Sequence, residues 1–133
     1  MFVIIDTNVF MSGIFWSGPP AKILDAWQNK QFEMVLSTDI LNEYIRVGGI
    51  LSKKYGKVEI DEIIDLIVRR SKIYDIAPLP IPICRDINDD MYIACALAAK
   101  IKIIVSGDAD LLELSGYHHI QVIKPRQFLD NLR

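Results

Sequence analysis

The sequence predicts a single α/β domain over residues 1–133: a three-layer α/β/α sandwich around a mostly parallel sheet of about five strands. Two observations support this fold class. Short apolar runs alternate along the whole chain with segments of helical periodicity. The first run, residues 2–5, is continuously apolar, which is typical of a parallel strand buried on both faces. No internal repeat, low-complexity stretch or linker divides the chain.

The first half of the chain predicts two strands and two helices. Pro19 and Pro20 suit the first turn of a helix, because their fixed φ and missing N–H cost nothing there. We expect the pair Gly48-Gly49 to break or kink the second helix. The predicted elements are a strand at 2–5, a helix from about 19 to 28, a strand at 34–36, and a helix capped by Ser37 or Thr38.

The second half predicts three further strands. Residues 59–72 form the most regular helical pattern, with four isoleucines on one face. Three prolines between 78 and 82 prevent regular structure until about residue 86. The predicted elements are a helix at 59–72, a short strand at 73–77, a helix at 89–100, a strand at 103–105, a brief helix at 108–114, a strand at 120–123 and a final turn or helix from Pro125.

Composition excludes several classes of protein. The chain is 51% apolar and 24% charged, which is ordinary for a globular domain and unlike a disordered one. No apolar run approaches the ~18 residues of a membrane helix, and Asp6 ends the first run before it could serve as a secretory signal. Cys84 and Cys95 lack zinc-ligand spacing. We therefore expect reduced thiols and a cytoplasmic protein without a membrane partner.

Acidic residues follow the predicted strands. The carboxyl ends of parallel strands meet at one edge of a sheet, where ligands bind at the switch in strand order. Each acid also has a structural explanation, as a helix cap, a partner of the helix dipole or a solvated side chain. The acids near this edge are Asp6 after strand one, Glu43 in the second helix, Asp89 and Asp90 at the start of the fourth, and Asp108 and Asp110 after strand four.

Together these acids predict a cation site. Four converging carboxylates would repel one another, and several would have to take up protons unless a cation were present. Oxygen ligands without His or Cys favour Mg²⁺ or Mn²⁺ over Zn²⁺. Such ions activate water and offset the charge of a phosphodiester transition state. The net charge of -2 does not argue against a nucleic-acid partner, because a metal-filled acidic pocket leaves the rest of the surface positive.

Four segments in this order and spacing resemble the PIN domain family, and within it the VapC-like toxin components of toxin–antitoxin systems. They are FVIIDTN at 2–8, Glu43, DDMYIACA at 89–96 and IVSGDADLL at 104–112. The resemblance covers essentially the whole chain. It implies a metal-dependent endoribonuclease that cleaves RNA with Mg²⁺ or Mn²⁺, a cognate antitoxin as partner, and a homodimer or higher oligomer.

The resemblance also implies roles for individual residues. The catalytic acids would be Asp6, Glu43, Asp90 and Asp108. Asp6, Asp90 and Asp108 would hold the metal directly or through water, while Glu43 would hold a second ion or orient the attacking water. Asn8, Ser106 and Asp110 match supporting positions. Asp90 is chosen because the family has an Asp four residues before an Ala. Asp86 and Asp89 lie close enough to replace it.

Three other functions are alternatives to a nuclease. A haloacid dehalogenase-type phosphatase needs an Asp where Asn8 stands. A receiver domain of two-component signalling needs a phosphoacceptor Asp at the end of strand three, where the sequence has Ala77-Pro78. A catalytically idle module that only binds an antitoxin is the remaining alternative, and the presence of all four acids argues against it.

A basic run predicts where RNA would lie. The candidate substrate-binding residues are Arg46, Lys53, Lys54 and Lys57, on and just after the helix of Glu43. They would hold the phosphate backbone by charge. The alternatives are that this run is a solvated helix face, or that RNA follows Arg85, Lys100 and Lys102.

Overall fold

The computed structural model of the protein describes residues 1–56 and 58–132. Strands and helices alternate along them. The strands are β1 (Phe2–Ile5), β2 (Glu33–Ser37), β3 (Lys72–Tyr74), β4 (Ile103–Val105) and β5 (Gln121–Ile123). The helices are α1 (Thr7–Phe15), α2 (Pro19–Gln28), α3 (Thr38–Tyr55), α4 (Ile60–Arg70), α5 (Asp90–Ala99), α6 (Ala109–Leu112) and α7 (Pro125–Asn131), with 3₁₀ turns at Ile87–Asp89 and Tyr117–His119.

The five strands form one parallel sheet in the order β3-β2-β1-β4-β5. The chain leaves β1 toward β2 and β3 on one side, and returns to β4 and β5 on the other. The strand order therefore reverses between β1 and β4. This is the switch point outside which parallel α/β sheets bind ligands. The parallel five-stranded sheet between helices confirms the predicted fold class.

Helices cover both faces of the sheet. Val3, Ile4 and Ile5 are consecutive in β1 and none of them is exposed. Because successive side chains of a strand point to opposite faces, both faces at β1 must be covered. Helix α1 packs against α2 and α3, while α5 packs against β2 and β4. Among the described residues, none of the helices combines the length and apolar character that a bilayer crossing requires.

Helix α3 differs from the prediction. We expected Gly48-Gly49 to break or kink it, but it runs unbroken from Thr38 to Tyr55. A Cβ on Gly48 would lie 2.8 Å from the Ile60 side chain. The glycine therefore serves the close approach of α4 to α3 rather than a break.

Helix α1 was not predicted. Its first turns bury Val9, Phe10 and Met11 and so show no polar face in the sequence. Helical periodicity is visible only when one side of a helix faces water. This helix matters for the site because it begins directly after Asp6.

Candidate active site

An acidic cleft of about 480 Å³ opens at the carboxyl edge of the sheet, beside the β1–β4 switch point. Residues from four parts of the chain reach it: the start of α1, the middle of α3, the turn before α5 and the segment after β4. The lining residues are Asp6, Thr7, Asn8, Glu43, Arg46, Asp86, Asn88, Asp89, Met91, Tyr92 and Asp108. The structure thus brings together Asp6, Asn8, Glu43 and Asp108, all of which the sequence analysis selected.

Asp6 is held rigidly at the end of β1. It is only 4% exposed, and one carboxylate oxygen accepts a hydrogen bond of 2.8 Å from the backbone N–H of Val9. Asp6 is therefore the N-cap of α1. Its other oxygen accepts a short hydrogen bond from the Ser106 hydroxyl. Burial raises the pKa of Asp6, the bonds from Ser106 and Val9 oppose that rise, and the nearby Asp108 adds to it.

Ser106 connects two of the acids. It follows β4, is fully buried, and its hydroxyl oxygen accepts a 2.9 Å hydrogen bond from the Asp108 N–H while donating to Asp6. Asp108 in turn accepts a 3.2 Å bond from the N–H of Leu111 and caps α6. The capping explanation of Asp108 is therefore correct, and it is compatible with a place in the cleft. A carboxylate has more lone pairs than one cap uses.

Two buried tyrosines hold the backbone on either side of Asp6. The Tyr44 hydroxyl, from α3, donates to the carbonyl of Ile5. The Tyr92 oxygen, from α5, accepts a 3.0 Å hydrogen bond from the Thr7 N–H and lies 2.6 Å from the Thr7 hydroxyl. Sequence reasoning missed this function. Nothing in the sequence distinguishes a tyrosine with a buried hydrogen bond from one that only packs against its neighbours.

Asp89 lies beside Asp108 and Asp110. Carboxylate oxygens of Asp89, Asp108 and Asp110 all lie within 4.8 Å of one another. Partial burial raises the pKa of Asp89 from 3.8 to about 7, helped by a hydrogen bond with Asp108 and by the charges of Asp108, Asp86 and Asp6. Asp110, predicted as a supporting residue, joins this cluster.

Asp90 does not face the cleft. Its carboxylate accepts a 2.7 Å hydrogen bond from the Cys84 N–H and longer ones from the Ile83 N–H, at 3.2 and 3.3 Å. It lines a separate, largely apolar pocket of about 260 Å³ together with Ser37 and the proline segment. Burial raises the pKa of Asp90, but the bonds from Cys84 and Ile83 outweigh it and leave the pKa below its ordinary value. The expected position of Asp90 among the clustered acids is corrected, because its neighbour Asp89 lies there.

The predicted basic residues are only partly at the cleft. Arg46 lines it and forms an ion pair with Glu43, with N–O distances of 2.5 and 3.2 Å. Lys53 and Lys54 are exposed near the end of α3 and do not line the cleft. Ten residues of helix separate Lys53 from Glu43, about 15 Å along the axis. Lys57 lies outside the described residues.

Comparison with known proteins identifies the family. A family model described as the PIN domain matches residues 2–110, which is most of the chain. The chain belongs to the PIN domain family. No curated protein matches it significantly in sequence. Among solved structures it is similar to a chain of VapBC2 from Rickettsia felis, described as bound to a DNA fragment from their promoter, with a TM-score of 0.54 and 17% identity over 92% of this chain and 97% of that one. At that identity the likeness shows the fold.

The donors of this PIN domain suit a hard divalent cation. The carboxylates of Asp89, Asp108 and Asp110 supply oxygens at a spacing that one ion can bridge, and neither His nor Cys lines the described cleft. Burial and then the neighbouring carboxylates raise the pKa of Asp89, so ionising it leaves negative charge that the protein alone does not compensate. A bound cation would relieve it. The acidic cluster of the PIN domain therefore fits a hard divalent cation.

Proposed function

We propose that this PIN domain is a metal-dependent endoribonuclease that hydrolyses RNA phosphodiester bonds with Mg²⁺ or Mn²⁺. One observation carries the proposal: Asp6, Asp89 and Asp108 converge in one cleft at the switch point of the sheet. PIN domains are in general nucleases that use divalent metals. An acidic, oxygen-only cleft suits this chemistry, because phosphoryl transfer needs a cation to balance the charge of the reacting phosphate.

The chain's own residues would divide the work. Asp89, Asp108, Asp110 and Asp6 would hold the metal, which when bound supplies an activated water and charge compensation. Ser106 would hold Asp6 in place through the hydrogen bond described above. Glu43 would orient the attacking water and accept its proton from the facing wall of the cleft. Arg46, beside Glu43, would contact the phosphate of the substrate.

A second part of the proposal concerns the partner of this protein. The chain shares its fold with a member of a VapBC2 complex, so we propose that it is the toxin of a toxin–antitoxin pair and binds a cognate antitoxin. A homodimer or higher oligomer and a cytoplasmic location belong to this proposal. An antitoxin-binding module without catalysis is the competing form of it.

Cleavage assays test the proposal directly. RNA and single-stranded DNA of one sequence are incubated with the protein in Mn²⁺, in Mg²⁺ and in EDTA. We expect RNA cleavage that requires metal, is lost in Asp6→Asn, and persists in Asp75→Asn. Asp75 is an exposed carboxylate outside the cleft, so its variant controls for the change in charge. Equal cleavage in EDTA or in Asp6→Asn would refute the proposal. Metal binding without cleavage would favour the idle module.

A further inference from the structure

Three carboxylates lie within five residues before and at the start of α5, and each has a different partner. Asp86 accepts a 3.0 Å hydrogen bond from the Asn88 N–H and caps the 3₁₀ turn Ile87–Asp89. Asp89 makes no capping hydrogen bond and faces the cleft. Asp90 follows about 100° further round the helix axis, so it points to a different side. The three neighbouring carboxylates therefore face different parts of the structure.

Asp90 holds the segment that leads into this turn. In residues 75–85, all of which are described, Pro78, Pro80 and Pro82 have no N–H to donate. The hydrogen bonds that this segment makes in the described structure are those from the Ile83 and Cys84 N–H groups to Asp90. Asp90 is 8% exposed, so these bonds are shielded from competing water.

We propose that Asp90 is a positioning residue, which fixes the proline segment to α5 and so holds Asp89 in the acidic cleft. The proposal rests on the proposed function for its consequence, since the group it positions is a proposed metal ligand. Only Arg85 and Asp86 separate Cys84 from the 3₁₀ turn Ile87–Asp89, which ends at Asp89. If the N–H groups at 83 and 84 were released, this turn would lose its fixed entry and Asp89 its fixed direction toward Asp108. Asp90 itself would touch neither metal nor substrate.

Hydrogen exchange tests the contact without reference to activity. The amides of Ile83 and Cys84 should exchange slowly in the wild type, although they lie in a segment without regular structure. We expect Asp90→Ala to speed their exchange by at least about tenfold, because both acceptors are lost. We expect Asp90→Asn to have a smaller effect, because one Asp90 oxygen accepts from both amides and the amide oxygen of Asn can replace it. Asp75→Asn should leave the exchange unchanged.

Metal titration distinguishes a positioning residue from a ligand. Partners that orient metal ligands typically change affinity by about 10–100-fold. We expect Asp90→Ala to weaken Mn²⁺ binding by about tenfold, and Asp90→Asn to restore most of that loss. At Asp89 we expect Asn as well as Ala to weaken binding strongly, because the neutral amide oxygen of Asn supplies no negative charge to the ion. Rescue by Asn at 90 but not at 89 is a result that a general loss of stability would not produce.

Two results would overturn the proposal. If Asp90→Asn lost Mn²⁺ binding as completely as Asp89→Asn, Asp90 would be a ligand. If Asp90→Ala changed neither the exchange at 83 and 84 nor the Mn²⁺ affinity, Asp90 would position nothing. Should Asp90→Ala fail to fold, fast exchange of the Ile83 and Cys84 amides in the wild type would overturn the contact, and the Mn²⁺ affinity of Asp90→Asn would still distinguish a positioning residue from a ligand. Failure of the proposed function is separate: it would appear as absence of RNA cleavage in a wild type whose exchange pattern is as expected.

Discussion

Replacing Asp89 by Asn should make the folded protein more stable than wild type when metal is absent. When metal is present, the variant should be less stable than wild type. Folding raises the pKa of Asp89 from 3.8 to about 7, so its carboxylate is harder to ionise in the native state than in the unfolded chain. The stabilising contribution of this group is therefore full below about pH 4 and is lost as the pH rises through about 7. At pH 8 without metal, Asp89 is ionised in the folded protein although its surroundings favour the neutral form, and this lowers the stability of the fold.

The structure sets the size of this effect. A rise of that extent in the pKa would correspond to about 4 kcal/mol for a fully buried group. Asp89 is only half-buried, so solvent screening reduces the expected gain in Asp89→Asn to about 1–2 kcal/mol. For a chain of this size that is a rise of about 3–8 °C in Tm. At pH 5 the difference should be about half as large or less, because the native carboxyl is then protonated while the unfolded one, with a pKa of 3.8, is still ionised.

Thermal melts in EDTA and in Mn²⁺, at pH 5 and pH 8, measure the effect. Saturating Mn²⁺ should reverse the order at pH 8, since a ligand at about 100 times its Kd stabilises its receptor by about 2.7 kcal/mol. The Asn variant should lose most of that gain. The exposed Asp75→Asn is the matched control and should change neither melt. A Tm below that of wild type for Asp89→Asn in EDTA at pH 8 would refute the reasoning, because the carboxylate would then be stabilising α5.

Three further predictions concern the surroundings of the acids. Tyr44→Phe should lower the free energy of unfolding by about 1–3 kcal/mol in urea melts, because the carbonyl of Ile5 loses a buried donor; unchanged stability would show that the bond contributes nothing. Ser106→Ala should weaken Mn²⁺ binding by about tenfold in calorimetry, because Asp6 loses a donor that holds it, and wild-type affinity would contradict this role. Changing Lys53 and Lys54 together to Ala should flatten the salt dependence of RNA binding by about 0.7 per lost phosphate contact, with Mn²⁺ affinity unchanged. An unaltered slope would mean that these lysines are a solvated helix face.

The fold was predictable where its signals are local. Continuous apolar runs such as residues 2–5 exist only because helices cover both faces of the sheet, so the runs alone indicate buried parallel strands. Helix α1 gave no such signal, because most of its first turns are buried. The Gly48-Gly49 pair gave a misleading one. The sequence does not distinguish a glycine that ends a helix from one that allows a neighbouring helix to pack closely. The structure does, because a Cβ on Gly48 would lie 2.8 Å from the Ile60 side chain.

The sequence predicts that acids after the strands gather in one cleft. It does not predict which of the neighbouring acids before α5 faces that cleft. Asp6 and Asp108 could be placed at the cleft because each follows a strand at the switch point, Asp6 directly after β1 and Asp108 three residues after β4. The choice among Asp86, Asp89 and Asp90 depends on the angle at which the chain enters α5. That angle is set by hydrogen bonds from Ile83 and Cys84, which no sequence pattern records.

For the proposed nuclease, the charges of the cleft predict that metal and RNA bind cooperatively. Arg46 is the basic residue among the described lining residues, against five carboxylates, and it is already paired with Glu43. A phosphate backbone would therefore meet net repulsion in the empty cleft, and each bound cation would remove part of that repulsion. Linkage requires the reverse effect to be equal, so RNA must tighten metal binding by the same factor by which metal tightens RNA binding. Under this proposal, basic residues outside the cleft hold the RNA strand nearby, and the scissile phosphate approaches the acids closely only when the metal is bound.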